Sequence, residues 1–294
     1  MKAKLKGPIF LFLCAFFWGM AFSAQSTAGR YIGPNTFVWL RSTITCLTLL
    51  ILRPLLLKLS PESAQTTASN RRHWIVGAFC GAFLVLATSL QQVGLMTTTT
   101  AKSGFITALY IVLVPILGVF LGKRIGGKVW LGVLVSLLGL YFLCFRGDAS
   151  LCIGDAFTLG CALVFSIHIL LIDRCGSDLN SIKLSTIQFG TAAVISGIVT
   201  FLTETPQLDG ILACWTSIVY AAVFSGALGY TFQIIGQRTT EPTLASLIMC
   251  LESVFAAFGG WIVLGETLSG RELLGCALMF SASVLALLPD RKKA

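Results

Sequence analysis

The chain has 294 residues, 56% of them hydrophobic and 11% charged, against roughly 25% charged in a soluble domain. A mean hydropathy of +0.88, with 21 Phe and 6 Trp, excludes both a water-soluble globule and a disordered chain. The formal charge of +9 is not a nucleic-acid patch, because the basic residues sit in short runs between long apolar stretches. The ten cysteines contain no C-x-x-C and no His-paired cluster, so no disulfide framework, metal site or cofactor is expected.

A helix needs about 20 mainly apolar residues to cross the hydrocarbon core. Ten such stretches follow in chain order: Ile9–Gly29, Thr36–Leu57, His73–Met96, Thr99–Leu121, Lys128–Phe145, Leu151–Ile172, Lys183–Leu202, Ala213–Ile235, Pro242–Leu264 and Arg271–Leu288. Backbone groups in lipid must be satisfied within the segment, so these are helices. The alternation of a membrane barrel is absent. The expected fold is all-α and integral to the membrane. Lys2, Lys4 and Lys6 precede an apolar run that reaches Ala21-Phe22-Ser23-Ala24, a pattern resembling a signal peptide. The run is long for one and further spans follow, so we read it as an uncleaved first helix.

With the N-terminus cytoplasmic, 16 of the 21 basic residues fall on the inner side, as the positive-inside rule requires. The other five are Arg30, Arg41, Lys102, Arg146 and Arg271. An even number of spans then places both termini in the cytoplasm. The expected location is a cell membrane, of the bacterial inner-membrane kind.

Laying Leu90–Leu143 over Phe232–Leu287 matches Gln91-x-x-Gly94 with Gln233-x-x-Gly236 and Thr97-Thr98 with Thr239-Thr240. After one inserted residue Leu121-Gly122 meets Leu264-Gly265, and Leu131-Gly132 falls near Leu274-Gly275. Apolar helices share composition, yet four landmarks in one register favour duplication. Two units of five spans are expected, 1–146 and 147–294. Five is odd, so the copies enter the membrane with opposite polarity. That is the inverted-repeat arrangement of secondary transporters, whose substrate site lies near the midplane between repeats.

The same residues carry a family resemblance. Trp18-Gly19, Arg41, the stretch Gly94–Pro115 and Gly154-Asp155 contribute to it, as does Ala245-Ser246 through Leu251-Glu252-Ser253 to Leu264-Gly265-Glu266. Together they resemble the drug/metabolite transporter superfamily, in its ten-helix type with two EamA domains. The resemblance covers nearly the whole chain. It implies transport of small organic solutes, often amino acids or related metabolites, by proton coupling or facilitated exchange. Lys123 stands where the family's first repeat has glutamate, and Ser253 where proline is common. The second departure predicts a straighter ninth helix.

A charge at the centre of a membrane helix costs about 2.5–3.5 kcal/mol even on lenient scales, so ionisable residues within spans are the first candidates. Glu252 lies near mid-depth of the ninth span. It suits a proton carrier or a partner for a substrate amine, and equally an acid that merely ties two helices. Arg41 and Lys102 lie one to two turns inside the outer surface, as a cationic lining for a carboxylate or phosphate. Snorkelling competes with that role, above all for Arg41 near its helix end. His168 could relay protons, though a hydrogen bond between helices is the commoner role. Asp155 opposes the dipole at a helix start, while Glu266 and Arg271 flank an outer turn. Tyr110, which aligns with Glu252 in the repeat, joins Trp18, Gln91, Gln92 and Gln233 as candidate cavity liners. Gly77 and Gly81 form a G-x-x-x-G that lets backbones approach.

A secondary transporter, exporter or exchanger, fits best, with two halves rocking about a central cavity and Glu252 as the switchable charge. The chain has no G-x-x-x-x-G-K-[ST], which excludes ATP hydrolysis by it. An integral-membrane enzyme would place acid–base or metal-binding groups in interfacial loops; the longest loop, Ser60–Arg72, offers Glu62 as its acid. A channel would want a ring of pore-lining charges. A multidrug exporter of cations is the nearest alternative, and Arg41 with Lys102 argues against it. The expected partners are a small-molecule substrate, the lipid bilayer and protons, with no nucleic acid; monomer and homodimer both stay open.

Overall fold

The computed structural model describes residues 6–59, 61, 66, 68–98, 100–144, 152–264 and 267–287, without the side chains of 59, 100–102, 144 and 264. Expectations that fall on Lys2, Lys4, Arg146, Gly265 and Glu266 lie outside the described residues. Among the described residues there is no strand. The first helices are α1 (Lys6–Ala28), α2 (Pro34–Leu59) and α3 (Asn70–Leu95). The fourth, α4, runs over Thr100–Thr107 and resumes at Tyr110–Phe120. Then come α5 (Gly127–Cys144), α6 (Ile153–Gly176) and α7 (Ser181–Thr203). A six-residue helix, Leu208–Ala213, leads into α8, which runs Trp215–Tyr220, a π-helical Ala221–Tyr230 and Thr231–Gln237. The ninth, α9, is Pro242–Met249 followed by Glu252–Leu264, and α10 is Gly270–Leu287.

Among the described residues nine helical stretches are long and apolar enough to cross a membrane, and Gly127–Leu143 is apolar but shorter. Each falls on an expected span, with ends moved by a few residues. Large apolar side chains such as Ile51, Phe79, Phe120 and Leu202 are exposed, which lipid tolerates and water does not. This is an all-helical membrane protein.

Polar side chains close the helix ends. Glu204, at the end of α7, accepts from the backbone N–H groups of Asn35 and Thr36, both at 2.9 Å, and from the Thr36 hydroxyl at 2.6 Å. It thereby satisfies the free donors at the start of α2. Asp155 accepts from Cys152 N at 2.9 Å and from Thr98 Oγ1 at 2.7 Å, the capping role expected of it. Gly122 takes a φ of 82° to end α4, and Lys123 N reaches the Gly118 carbonyl at 2.9 Å in a Schellman-type stop. That turn aims Lys123, the family's missing glutamate, at an ion pair with Asp173 on α6. Arg271 stacks on Tyr141 and Phe142, 5.3 and 5.6 Å from their ring centres.

Packing repeats itself under a shift of five helices. α2 lies along α7, and α5 along α10. α3 lies along α6 as α8 lies along α1. The glycines explain the closeness. A Cβ on Gly94 would sit 2.9 Å from the Gly154 carbonyl oxygen, and one on Gly236 would sit 2.9 Å from that of Gly7. A Cβ on Gly139 would sit 2.8 Å from the Gly275 carbonyl oxygen where α5 crosses α10. Gly77 and Gly81 seat α7 likewise, against Ile187 and Gln188, as the G-x-x-x-G spacing suggests.

α9 is not straight. It breaks at Cys250–Leu251, and α4 breaks at Ala108–Leu109, the equivalent place in the repeat. In α4 the ladder tightens at the break, where Leu109 N turns to Ile106 O at 3.2 Å and Ile111 N to Ala108 O at 3.0 Å, while Pro115, with no N–H for the Ile111 carbonyl, lies inside the second part. In α9 side chains do the work. The Leu247 carbonyl accepts Cys250 Sγ at 3.1 Å and Ser283 Oγ of α10 at 3.2 Å, while Leu251 N turns to Ile248 O at 3.2 Å. Back-bonding of this kind competes with the helical ladder, so the break forms without proline.

Gly139→Leu should overpack the α5–α10 crossing and cost about 1–3 kcal/mol, read as a lower melting temperature in detergent. Gly126→Ala, with nothing within 4 Å of its added carbon, should leave the melting temperature unchanged.

Candidate functional site

The breaks in α4 and α9 face a narrow cavity lined by Trp18, Phe22, Gln25, Arg41, Gln91, Thr107, Tyr110, Phe165, Ile169, Ser225, Tyr230 and Glu252. The space open to water centres is about 20 Å³, room for about one water. Tyr110 and Glu252 are the first residues after the two breaks, so the interruptions themselves aim this pair inward. Glu252 is 4% exposed, and neither its Oε1 nor the Tyr110 hydroxyl has a hydrogen-bond partner among the described residues. Gly19 lets α1 approach α9 at this point: a side chain there would collide with the Glu252 backbone carbonyl and lie 2.8 Å from Ala256 N.

Ser225, in the π-helical part of α8, is the hub of the opposite wall. Its hydroxyl accepts Arg41 Nη2 at 3.0 Å, and its carbonyl accepts Trp18 Nε1 at 3.2 Å. Arg41 is 4% exposed and its guanidinium carbon lies 5.9 Å from the Tyr230 ring centre, within cation–π range. Its Nε has no partner among the described residues. Arg41 therefore lines the cavity and does not snorkel. Trp18, Tyr230 and Phe165 form an aromatic wall, with ring centres 4.6 Å apart for Trp18–Tyr230 and 6.1 Å for Trp18–Phe165. Gln91 Nε2 donates to Thr107 Oγ1 at 3.4 Å.

Of the candidates read from sequence, Trp18, Arg41, Gln91, Tyr110 and Glu252 meet at this cavity. Three others do not line it. Gln92, one residue round α3 from Gln91, turns to α1 and donates to the Gln25 carbonyl at 3.3 Å. His168 joins α6 to α7 through Gln188 Oε1 at 3.2 Å, a bond between helices. Gln233 lies a turn beyond Tyr230, fully buried. Lys102 belongs to the first part of α4, and its side chain lies outside the described residues. Sequence reasoning missed Phe165 and Ile169, though aligning Gly7 with Gly154 sets Trp18 on Phe165 and Phe22 on Ile169. Ser225 and Tyr230 left no comparable signal. Among the described residues no three His, Cys, Asp or Glu could hold a metal.

Arg41 and Glu252 line one cavity without forming an ion pair with each other. An acid and a guanidinium held apart in an aromatic-walled pocket can take a solute carrying both charges, each head group supplying the counter-charge its partner lacks.

The sequence pattern of the EamA-like transporter family matches residues 5–145 and 152–288. A protein of Archaeoglobus fulgidus described as an uncharacterized transporter is 29% identical over 287 residues, covering 96% of this chain and 86% of that one. The threonine/homoserine exporter RhtA of Escherichia coli K12 is 28% identical over 180 residues, which span 59% of each protein. A solved crystal structure superposes with a TM-score of 0.78 at 17% identity, over 95% of this chain and 96% of that one, and shows the fold alone.

Ser225→Ala should leave the Arg41 guanidinium short of a partner and cost about 1–3 kcal/mol, seen as a lower melting temperature. Ser225→Thr, which keeps the hydroxyl, should restore most of it.

Proposed function

This chain belongs to the EamA-like transporter family and is a membrane transporter, and we propose that it is a secondary exporter of amino acids or similar zwitterions. The observation that carries this reading is that Arg41 and Glu252 line one pocket without an ion pair between them. The cargo carboxylate meets Arg41, its ammonium meets Glu252, and its side chain lies against Trp18, Phe165 and Tyr230. The similarity to the threonine/homoserine exporters RhtA supports an amino-acid cargo. Lys102 and the remaining polar liners complete the binding surface.

In this proposal the halves 1–146 and 147–294 are oppositely inserted and rock about the pocket, with both termini cytoplasmic. The cavity of about 20 Å³ belongs to a closed stage of the cycle, and it widens to admit an amino acid. Glu252 carries either a proton or the cargo ammonium. Because each displaces the other from one carboxylate, proton entry and cargo exit are coupled. No catalytic step is needed.

The test is counterflow and pH-driven transport of radiolabelled threonine in proteoliposomes. Glu252→Gln should abolish proton-driven transport while the protein keeps its size-exclusion profile. Unchanged proton dependence refutes the role of the acid. Arg41→Gln should raise the half-saturating threonine concentration about ten- to a hundredfold, the worth of one hydrogen bond to a charge.

A further inference from the structure

Six pocket residues form three pairs under the repeat: Trp18 with Phe165, Phe22 with Ile169, and Tyr110 with Glu252. The other six, Gln25, Arg41, Gln91, Thr107, Ser225 and Tyr230, have no counterpart in the pocket, and two of them, Arg41 and Gln91, have a glutamine at the equivalent place. Counting α2 against α7 from their starts at Pro34 and Ser181 makes Gln188 the counterpart of Arg41, and the Gln-x-x-Gly match makes Gln233 that of Gln91. Neither counterpart touches the pocket.

Both are 0% exposed. Gln188 Nε2, and both Oε1 and Nε2 of Gln233, have no hydrogen-bond partner among the described residues. Folded chains rarely leave buried amides unpaired, and each such group calls for an explanation. Their position supplies one. Gln188 lies level with Tyr230, between Ser185, which meets Thr231, and Phe189, whose ring meets that of Tyr230, and Gln233 lies a turn closer to the face that bears the start of α1 and the end of α10. That face is fastened by Lys123 with Asp173, by Arg72 Nη1 with Asp178 Oδ2 at 2.8 Å, and by Asn180 N donating to His73 Nε2 at 3.0 Å. Gln25, Arg41, Gln91 and Ser225, by contrast, draw the present cavity toward the opposite face.

Resting on the transporter reading above, we propose that Gln188 and Gln233 form the polar wall of the passage to the terminus-bearing face. When the two halves exchange conformations, these amides take the places Arg41 and Gln91 hold now, and they meet water and the polar head of the cargo. Their orphaned atoms are the trace of that second arrangement. The wall is polar but uncharged where the present one carries a guanidinium, so a cargo carboxylate is held less firmly on that side.

The experiment uses a full-length chain that keeps only the buried Cys250 of the α9 break, elutes as one species and serves as the unreactive blank. In the test variants it carries Gln91→Cys, Gln188→Cys or Gln233→Cys singly. It is reconstituted in one orientation, and a charged, membrane-impermeant methanethiosulfonate is added to either side. Gln188→Cys and Gln233→Cys should react from the terminus-bearing face, and Gln91→Cys from the other. Adding Asp173→Asn with Asp178→Asn, which removes both ion pairs, should speed the first two about fivefold or more and slow the third. Reaction of Gln188→Cys and Gln233→Cys from the same face as Gln91→Cys overturns the inference. So does their inertness both with and without the ion pairs. The two positions sit on different helices, so either one decides. Passage of the impermeant reagent through the protein into the opposite compartment is a separate outcome: it would mean a continuous pore and would overturn the transporter cycle itself.

Discussion

No water is at hand inside hydrocarbon to satisfy a freed carbonyl or N–H, so an interrupted helix survives there only where the protein supplies the missing partner. The site is built on that constraint. At the α9 break the Leu247 carbonyl is held by a thiol from its own turn and by the Ser283 hydroxyl of α10. Ser253 adds a bond from its hydroxyl to the Gly104 carbonyl of α4, at 3.5 Å. The two discontinuities are thus tied to each other and to a neighbouring helix. They deliver Tyr110 and Glu252 to the cavity from opposite halves of the sequence.

The polar groups in the cavity follow a different economy from those at the helix ends. Asp155 and Glu204 are fully engaged as caps, whereas Glu252 Oε1, Arg41 Nε and the Tyr110 hydroxyl are left open. Glycine at the crossings explains how the surrounding helices stay close enough to keep lipid out while these groups are open. Gly19 against α9 and Gly94 and Gly236 against carbonyls of α6 and α1 let backbones touch where side chains would hold them apart. Capped ends, close crossings and an underfilled polar centre describe a scaffold that is rigid at its seams and unfinished at its middle, as befits a transporter.

Much of this was legible in the chain. The ten spans followed from apolar length, and the alignment of Tyr110 with Glu252 placed both at the same structural point. The Gln-x-x-Gly match marked two glycines that turn out to seat equivalent crossings. What stayed hidden depends on distant partners or on backbone irregularity. Arg41 could not be told from a snorkelling residue because its partner Ser225 is 184 positions away. The bend in α9 depends on Ser283, 36 residues after the carbonyl it engages. Ser225 and Tyr230 sit in a π-helical stretch whose composition, Ala-Ala-Val-Phe-Ser-Gly-Ala-Leu-Gly-Tyr, resembles any other membrane helix. Gln92 was misjudged because one step round α3 separates a cavity residue from a packing one.

The fastenings of the two faces differ in kind. One face is joined by ions of opposite sign on partly exposed side chains, Lys123 with Asp173 and Arg72 with Asp178. At the other, Glu204 and Asp155 grip N–H and hydroxyl groups. Dissolved electrolyte shields the first kind of bond far more than the second. Saltier solution on the ion-paired side of the bilayer would therefore weaken that fastening more than it weakens the hydrogen-bonded one.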